Sequence, residues 1–404
     1  MKSTRVIGFL RPLCACLVAL QWCVSRVSTL SDGYDGLCSA ILHPWGYPCV
    51  EYTATTDDGF ILGIQRIPHG RIKNLVESRP PVFLQHGLFQ GGDTWFENNP
   101  DQSLGFLLAD AGFDVWVGNV RGTRWSHGHV SLPKTAKEFW DWSFDELAMS
   151  DLPAMLDLIY SETKMQIYYV GHSQGTIMAF AAFTNPKVVN RLGAAALLSP
   201  IAFLANITSP FARAAVNMHL DQFAKSMGVH QLNLRSEFAV EMIDRVCASK
   251  QVNCGDLLTS ITGPNCCFND SRIPYYLQFE PHPSSTKNIE HLFQMIRKGT
   301  FARFDYGWLR NWREYGTSTP PEYDISSIPQ DFPVLMAYGG LDAMADLNDI
   351  TLMLGNVLCD VELLYLENYA HLDFVLSINS KHDLYEPVVK FFRAHPTYGF
   401  DSTL

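Results

Sequence analysis

The sequence lacks an excess of basic residues, and this excludes one broad class of partners. Its 404 residues include 30 lysines and arginines against 41 aspartates and glutamates, a formal net charge of −11. Because binding to nucleic acid requires a basic surface, we exclude nucleic acid as a partner. The same balance disfavours tight electrostatic attachment to anionic membranes.

Long apolar runs are missing after the first residues. A basic start from residue 2 to residue 11 precedes an apolar run from Leu13 to Leu20, and small residues follow. This pattern is typical of a secretory signal and is too short to span a membrane. We predict a signal peptide over residues 1–31, with an uncleaved anchor as the alternative, and no permanent membrane anchor in the mature protein. The predicted destination is outside the cell, with a vacuole or lysosome as the alternative.

The sequence also lacks the paired Cys-X-X-Cys spacing and neighbouring histidines of a zinc site. Of ten cysteines three lie in the predicted signal, which leaves seven: Cys38, Cys49, Cys247, Cys254, Cys266, Cys267 and Cys359. In a secreted chain such cysteines predict disulfides. Cys38 and Cys49 can close a short loop. The four cysteines from 247 to 267 can form two disulfides, whose pairing the sequence leaves open, and Cys359 is left as a free, buried thiol. Zinc at the cluster is the weaker alternative; we predict no metal and no cofactor.

Strand and helix patterns alternate up to Pro200, which predicts an α/β fold with a mostly parallel sheet and helices on both faces. A helix from Ser143 shows a capping box with Glu146 and is interrupted at Pro153. Strand patterns are scarce after Pro200 and return at Val334. We therefore predict a core over residues 32–199 and 305–404, with a helical cap over 200–304. The cap carries two glycosylation sequons, at Asn206 and Asn269.

Gly171-His172-Ser173-Gln174-Gly175 joins a short apolar run to a helix of small residues. This is the strand–turn–helix context of a nucleophile elbow, in which glycines relieve crowding around a strained serine. The pattern predicts that Ser173 is a nucleophile exposed at the carboxyl edge of the sheet. We assign His172 a structural role beside the elbow.

A serine nucleophile requires a base and an acid that orients the base, and in this arrangement they follow the serine in the order acid, then histidine. Asp342 follows the strand pattern 334–338 through Gly339-Gly340, and His371 follows the pattern 361–366. We predict these two residues as the acid and the base. The alternatives are Asp346, which is placed to begin the next helix, and His382, which lies among polar residues.

The oxyanion of an acyl-transfer reaction requires two backbone donors. One is predicted to be the amide of Gln174, which follows the nucleophile. The other is assigned to the amide of Leu88, in the glycine-containing loop 86–92 after the strand pattern 82–85.

Together these motifs resemble the acid lipase family of α/β-hydrolases, which includes gastric and lysosomal acid lipases and plant relatives. The resemblance runs from about Tyr52 to Phe392 and rests on five segments: 85–88, 115–122, 171–175, 338–342 and 371–374. It implies an eight-stranded, mostly parallel α/β-hydrolase sheet with an inserted cap. It also implies the nucleophile, acid and base at the three positions above. The four clustered cysteines make the cap more similar to the plant branch.

We therefore expect a secreted serine ester hydrolase that cleaves neutral lipid esters, foremost a triacylglycerol lipase, at a lipid–water interface. A soluble carboxylesterase, a sterol esterase or an acyltransferase with the same triad is the alternative. A non-catalytic binding protein on a hydrolase fold is a further one. The oligomeric state is left open. The cap aromatics are candidates for a lipid pocket or for plain core: Phe203, Phe211, Phe223, Phe238, Tyr275, Tyr276 and Phe279.

Overall fold

A computed structural model of the chain describes residues 36–72, 79–236, 238–239, 241–242, 245 and 256–397. The predicted signal peptide 1–31 lies outside the described residues, as do Cys247 and Cys254. Among the described helices, none is both long enough and apolar enough to cross a membrane.

Eleven strands are present in the described residues, and nine of them form one sheet. They are β1 Val50–Thr55, β2 Phe60–Ile67, β3 Pro81–Gln85, β4 Asp114–Gly118, β5 Gly128–His129, β6 Ile167–His172, β7 Leu192–Leu198, β8 Gln231–Leu232, β9 Ser284–Ser285, β10 Val334–Gly339 and β11 Val361–Leu366. The main path runs β1-β2-β4-β3-β6-β7-β10-β11, and β5 pairs with β2. All neighbours from β4 to β11 along this path are parallel, whereas β2 pairs antiparallel with β1 and β4. This confirms the α/β fold with an eight-stranded, mostly parallel sheet; two-residue β5 adds a ninth strand.

Side chains of the sheet alternate between two separate hydrophobic cores. Tyr168 and Val170 of β6 belong to the core on one face, and Tyr169 belongs to the core on the other. Successive side chains of a strand point to opposite faces, so a strand covered on both sides reads as a continuous apolar run. Apolar side chains therefore cover both faces of the sheet, and the polar groups of the site gather at the carboxyl ends of its strands.

The described helices are α1 Leu104–Asp110, α2 Phe144–Glu146, α3 Leu152–Thr163, α4 Gln174–Phe183, α5 Pro186–Val189, α6 Pro210–Asn217, α7 Leu220–Ser226, α8 Leu257–Thr262, α9 Ile273–Phe279, α10 Thr286–Lys298, α11 Trp308–Tyr315, α12 Leu347–Leu354, α13 Asp373–Leu376 and α14 Glu386–Ala394. The predicted capping box of Ser143 and Glu146 is present at α2. A π-helical turn, Leu147–Asp151, then leads into α3, whose first turn contains Pro153. Proline fits a first turn because its missing N–H has no partner there.

The segment between β7 and β10, residues 199–333, contributes helices α6 to α11 and the small antiparallel pair of β8 and β9. None of its described strands joins the large sheet. The cap boundaries at 200 and 304 stay a prediction. The end of α8 and the first turn of α10 contact the loops at the carboxyl edge of the sheet.

Two disulfides lie within the described residues. Cys38 and Cys49 are joined, as the sequence predicts, and Cys266 is joined to its neighbour Cys267. Cys359 is free and buried, which confirms that prediction.

Candidate active site

Ser173 occupies a strained turn between β6 and α4. Its backbone has φ 53° and ψ −118°, a region that non-glycine residues rarely adopt. A Cβ added to Gly171 would lie 2.9 Å from the carbonyl of Gly175, and one added to Gly175 would lie 2.5 Å from the carbonyl oxygen of Gln85. The two glycines are therefore required by close packing around the turn.

The structure brings the three residues predicted as nucleophile, base and acid into one hydrogen-bonded chain. Ser173 Oγ lies 2.7 Å from His371 Nε2. His371 Nδ1 lies 3.0 Å from each carboxylate oxygen of Asp342. Asp342 follows β10 and His371 follows β11, so parallel neighbouring strands deliver both loops to the same edge as the elbow. All three residues are buried.

Ser199 is a further member of this chain that sequence reasoning missed. Its hydroxyl donates to Asp342 Oδ2 at 2.5 Å and lies 2.7 Å from His371 Nδ1. The residue is fully buried and has φ 51° directly after β7, the strand beside β6. A polar residue that ends a buried strand next to the elbow strand is the signal that could have identified it.

The alternative acid and base lie elsewhere. Asp346 accepts a hydrogen bond from Asn348 N and caps α12, the role that its position after Asp342 suggests. His382 is exposed and pairs with Glu386.

Hydrogen bonds fix the charge state that nucleophilic catalysis needs. Burial alone would raise the pKa of Asp342, but His371 beside it and donors such as the Ala345 amide hold that pKa below its ordinary value. His172 is different: burial lowers its pKa to about 3, so its ring is neutral. His172 Nε2 lies 2.9 Å from the carbonyl oxygen of His371, and its role here is to hold that loop.

The loop that carries Leu88 lies directly against the elbow. A Cβ added to Gly87 would lie 2.9 Å from the Cβ of Ser173 and 2.6 Å from Gln90 Oε1. Gln90 Oε1 also accepts the Gly87 amide, at 2.8 Å. The other predicted donor, Gln174, is the first residue of α4, where backbone N–H groups point away from the helix. We call residues 86–92 the oxyanion loop, after the role predicted for the Leu88 amide.

Parts of the β7–β10 segment hold the loops of Asp342 and His371 in place. The carbonyl of Thr262 accepts the amide of His371 at 3.1 Å and the amide of Ala343 at 3.3 Å. From α10, Asn288 donates to the side chain of Gln174 at 2.9 Å. The site is therefore completed by chain from outside the sheet.

The predicted glycosylation sites differ in their surroundings. Asn206 is exposed, but its side-chain amide donates to Asp349 at 2.8 Å. Asn269 uses its carbonyl oxygen to cap a turn at Ser271, and its amide nitrogen has no acceptor among the described residues. Of the cap aromatics, Tyr276 and Phe279 are buried core residues, and Phe223 stacks on Phe238.

The chain matches two family models. Residues 38–99 match a partial α/β-hydrolase lipase region, and residues 80–377 match the α/β-hydrolase fold. Over 385 residues it is 54% identical to triacylglycerol lipase 1 of Arabidopsis thaliana, covering 94% of this chain and 97% of that one. It is 37% identical to lysosomal acid lipase/cholesteryl ester hydrolase of Homo sapiens, covering 88% and 90%.

The chain belongs to the acid lipase family. This confirms the resemblance drawn from its motifs and its assignment as an ester hydrolase. Solved structures agree on the fold: a soluble variant of monoglyceride lipase from Saccharomyces cerevisiae superposes with a TM-score of 0.54 at 15% identity. That comparison covers 86% of this lipase and 96% of the yeast chain.

Proposed function

We propose that this lipase hydrolyses triacylglycerols through an acyl-enzyme formed on Ser173. The observation that carries the proposal is the unbroken chain from Ser173 Oγ through His371 to Asp342 at 2.7 and 3.0 Å. A serine hydroxyl is a weak nucleophile until a base within hydrogen-bond reach accepts its proton. The curated names of the relatives support the glycerol ester as substrate.

In this mechanism Ser173 attacks the ester carbonyl while His371 accepts the hydroxyl proton. Asp342 orients the imidazole and stabilises its cation. The amides of Leu88 and Gln174 stabilise the tetrahedral oxyanion. His371 then protonates the departing alcohol, and water, activated by the same histidine, releases the fatty acid.

The test compares two histidine variants and one serine variant on a dissolved short-chain ester. We expect Ser173→Ala and His371→Ala to fold and to lose at least about 10³-fold in kcat. His382→Ala, the matched control on an exposed histidine, should retain full activity. Ser173→Ala should also fail to react with a fluorophosphonate probe. Normal turnover by Ser173→Ala would overturn the proposal.

We further propose that α11 contacts the lipid surface. Trp308, Leu309 and Trp312 on this helix are 65%, 66% and 57% exposed. Tryptophan favours the boundary between water and lipid because its ring is apolar and its N–H is polar. Trp308→Ala/Trp312→Ala should lower activity on emulsified triolein and spare a dissolved ester. Trp45→Ala, on a tryptophan 36% exposed elsewhere, is the control. Equal losses on both substrates would exclude this role.

A sterol ester is the second candidate substrate, since a human relative bears the name cholesteryl ester hydrolase. Parallel assays on triolein and cholesteryl oleate emulsions decide between them. We propose secretion or delivery to a vacuole or lysosome, which the two disulfides support.

A further inference from the structure

A short stretch after α9 is hydrogen-bonded to the oxyanion loop. The amide of His282 donates to the carbonyl of Phe89 at 2.7 Å. The amide of Gly91 donates to Glu280 Oε1 at 3.0 Å. Phe89 follows Leu88 and has φ 59°, a strained conformation for a bulky residue. The loop that carries a predicted oxyanion donor is thus fastened at Phe89 and at Gly91, through hydrogen bonds to residues that are 193 and 189 positions away in sequence.

The side chain of His282 makes further hydrogen bonds just beyond this loop, at Asp93 and Arg124. Its Nδ1 accepts the amide of Arg124 at 3.0 Å, so the ring hydrogen resides on Nε2 and is donated to Asp93 at 3.0 Å. Trp125 Nε1 donates to the same carboxylate at 2.5 Å. One atom each of Asp93, Glu280 and His282 lie within 4.8 Å of one another. A metal is disfavoured here, because the Nε2 lone pair that would bind it carries a hydrogen.

The protonation state of Glu280 is set by its burial close to other carboxyl groups. Burial, and then the neighbouring carboxyls of Asp93 and Glu97, raise the pKa of Glu280 well above its ordinary value. Burial alone would raise the pKa of Asp93, but His282 and Trp125 hold it below its ordinary value. Glu280 Oε2 is buried and has no donor to accept from in the described part of the chain. A proton on this oxygen therefore resolves the repulsion between the two carboxyls.

The arginines around Glu280 donate hydrogen bonds to backbone carbonyls and not to its carboxyl group. Arg124 donates to the carbonyls of Gln278 and Phe279, and Arg235 donates to those of Leu277 and Glu280. Arg272 donates to the carbonyl of Glu97, whose own pKa is raised well above the ordinary value by burial and by Asp93. His86, at the start of the oxyanion loop, is buried, and burial lowers its pKa to about 4, so it is neutral.

We propose that Glu280 and His282 are positioning residues for the oxyanion loop, and that their hold on it requires the neutral acid form of Glu280. This inference rests on the proposed function, because it assigns a task to the loop that carries Leu88. The neutral acid accepts the Gly91 amide through Oε1, and its proton is shared with the neighbouring carboxylate of Asp93. Loss of that proton places two anions side by side next to the loop and displaces it. Activity then falls at alkaline pH through kcat, since an oxyanion donor acts in the transition state.

The experiment compares Glu280→Gln with Glu280→Ala on a dissolved ester across pH. Glutamine cannot ionise and reproduces both hydrogen bonds of the neutral acid. We expect Glu280→Gln to match wild-type kcat at acid pH and to lose the alkaline decline. Glu280→Ala should lower kcat by about tenfold or more, with KM nearly unchanged. Asp349→Asn is the matched control, because Asp349 is a buried carboxyl bonded to Asn206 and not to the oxyanion loop.

Binding of a boronic acid, which mimics the tetrahedral intermediate, distinguishes a failure of the positioning role of Glu280 from a failure of the proposed hydrolase function. It should weaken in Glu280→Ala in parallel with kcat, while binding of a fatty acid product stays constant. An unchanged alkaline decline in Glu280→Gln would overturn the inference, and this variant is informative even if Glu280→Ala fails to fold. Failure of the proposed function would instead appear as full activity in Ser173→Ala.

Discussion

At the scale of single residues, Ser199 shows how the site controls its acid. Asp342 Oδ1 accepts hydrogen bonds from the amides of Met344 and Ala345, and Oδ2 accepts one from the hydroxyl of Ser199. These donors fix the plane of the carboxylate toward His371 and favour its charged form. The carboxylate of the predicted acid is therefore held facing His371 by the protein itself.

We expect Ser199→Ala to lower kcat/KM on a dissolved ester by about tenfold. A hydrogen bond to a charged group contributes roughly 1.5–3 kcal/mol, and a tenfold rate change corresponds to about 1.4 kcal/mol. Steady-state kinetics measure the loss, and a thermal melt shows whether the variant is folded. A folded variant with wild-type kinetics would show that the backbone amides alone orient Asp342.

At the scale of elements, the oxyanion loop depends on a position without a side chain. Gly87→Ala would place a Cβ 2.6 Å from Gln90 Oε1 and 2.9 Å from the Cβ of Ser173. Since a displacement of about 1 Å at a reacting group can cost about 10²-fold, we expect kcat to fall by that order. Gly355→Ala, whose nearest new contact is an ordinary 3.4 Å, is the control and should behave as wild type. Retention of activity in Gly87→Ala would contradict this account.

Elements whose signals are local were predictable from the sequence. The capping box at Ser143, the hairpin of β1 and β2, and the strands before Ser173, Asp342 and His371 all follow from short patterns. Chain order then places acid and base at one sheet edge. The loops of Asp342 and His371 meet there because parallel strands bring their carboxyl ends together whatever lies between them, and the roles of acid and base stay a prediction.

Contacts that depend on distant packing were not predictable. Ser199 and Asp342 are separated by 143 positions, and Gly91 and Glu280 by 189. Ser199 meets Asp342 because β7 and β10 are neighbours in the sheet, and a pattern local to either residue does not give the order of the strands. Gly91 meets Glu280 only where the chain after α9 packs against the loop 86–92. The bond between adjacent Cys266 and Cys267 was one of several open pairings.

At the scale of the whole molecule, the described chain begins with a disulfide-closed ring that packs onto the sheet. Cys38, Ile41 and Leu42 are buried in the core that includes Phe106. Closing a loop of this size restricts the unfolded chain and contributes about 2–4 kcal/mol. Cys38→Ser/Cys49→Ser should lower the free energy of unfolding by that amount in a denaturant titration, with specific activity retained. An unchanged midpoint would contradict this expectation.

The pH dependence of stability has a contribution from His291, which stacks on Phe144 at 3.8 Å. Burial lowers its pKa from the ordinary 6.5 to about 3, so the folded state binds fewer protons than the unfolded state between these values. Stability from this group is therefore complete above pH 6.5 and falls by about 1.4 kcal/mol for each pH unit down to about 3.

His291→Gln removes the titrating ring and keeps a donor for the carbonyl of Ala302. The free energy of unfolding, measured at several pH values below 6.5, should fall less steeply in the variant than in the wild type. Parallel curves for the two proteins would show that His291 is already charged in the folded state.

The carbonyl of Thr262 bears on how such enzymes can diversify or be recombined. A single backbone oxygen from outside the sheet holds both the His371 loop and the Asp342 loop. A chimera that takes residues 210–226 from a relative leaves this oxygen in place and changes α6 and α7 alone. A chimera that replaces the whole β7–β10 segment must supply an equivalent carbonyl or lose the alignment of acid and base. The alignment of Ser173, His371 and Asp342 in a chimera therefore depends on the end of α8, where Thr262 lies. Recombination experiments should place their crossovers before α8.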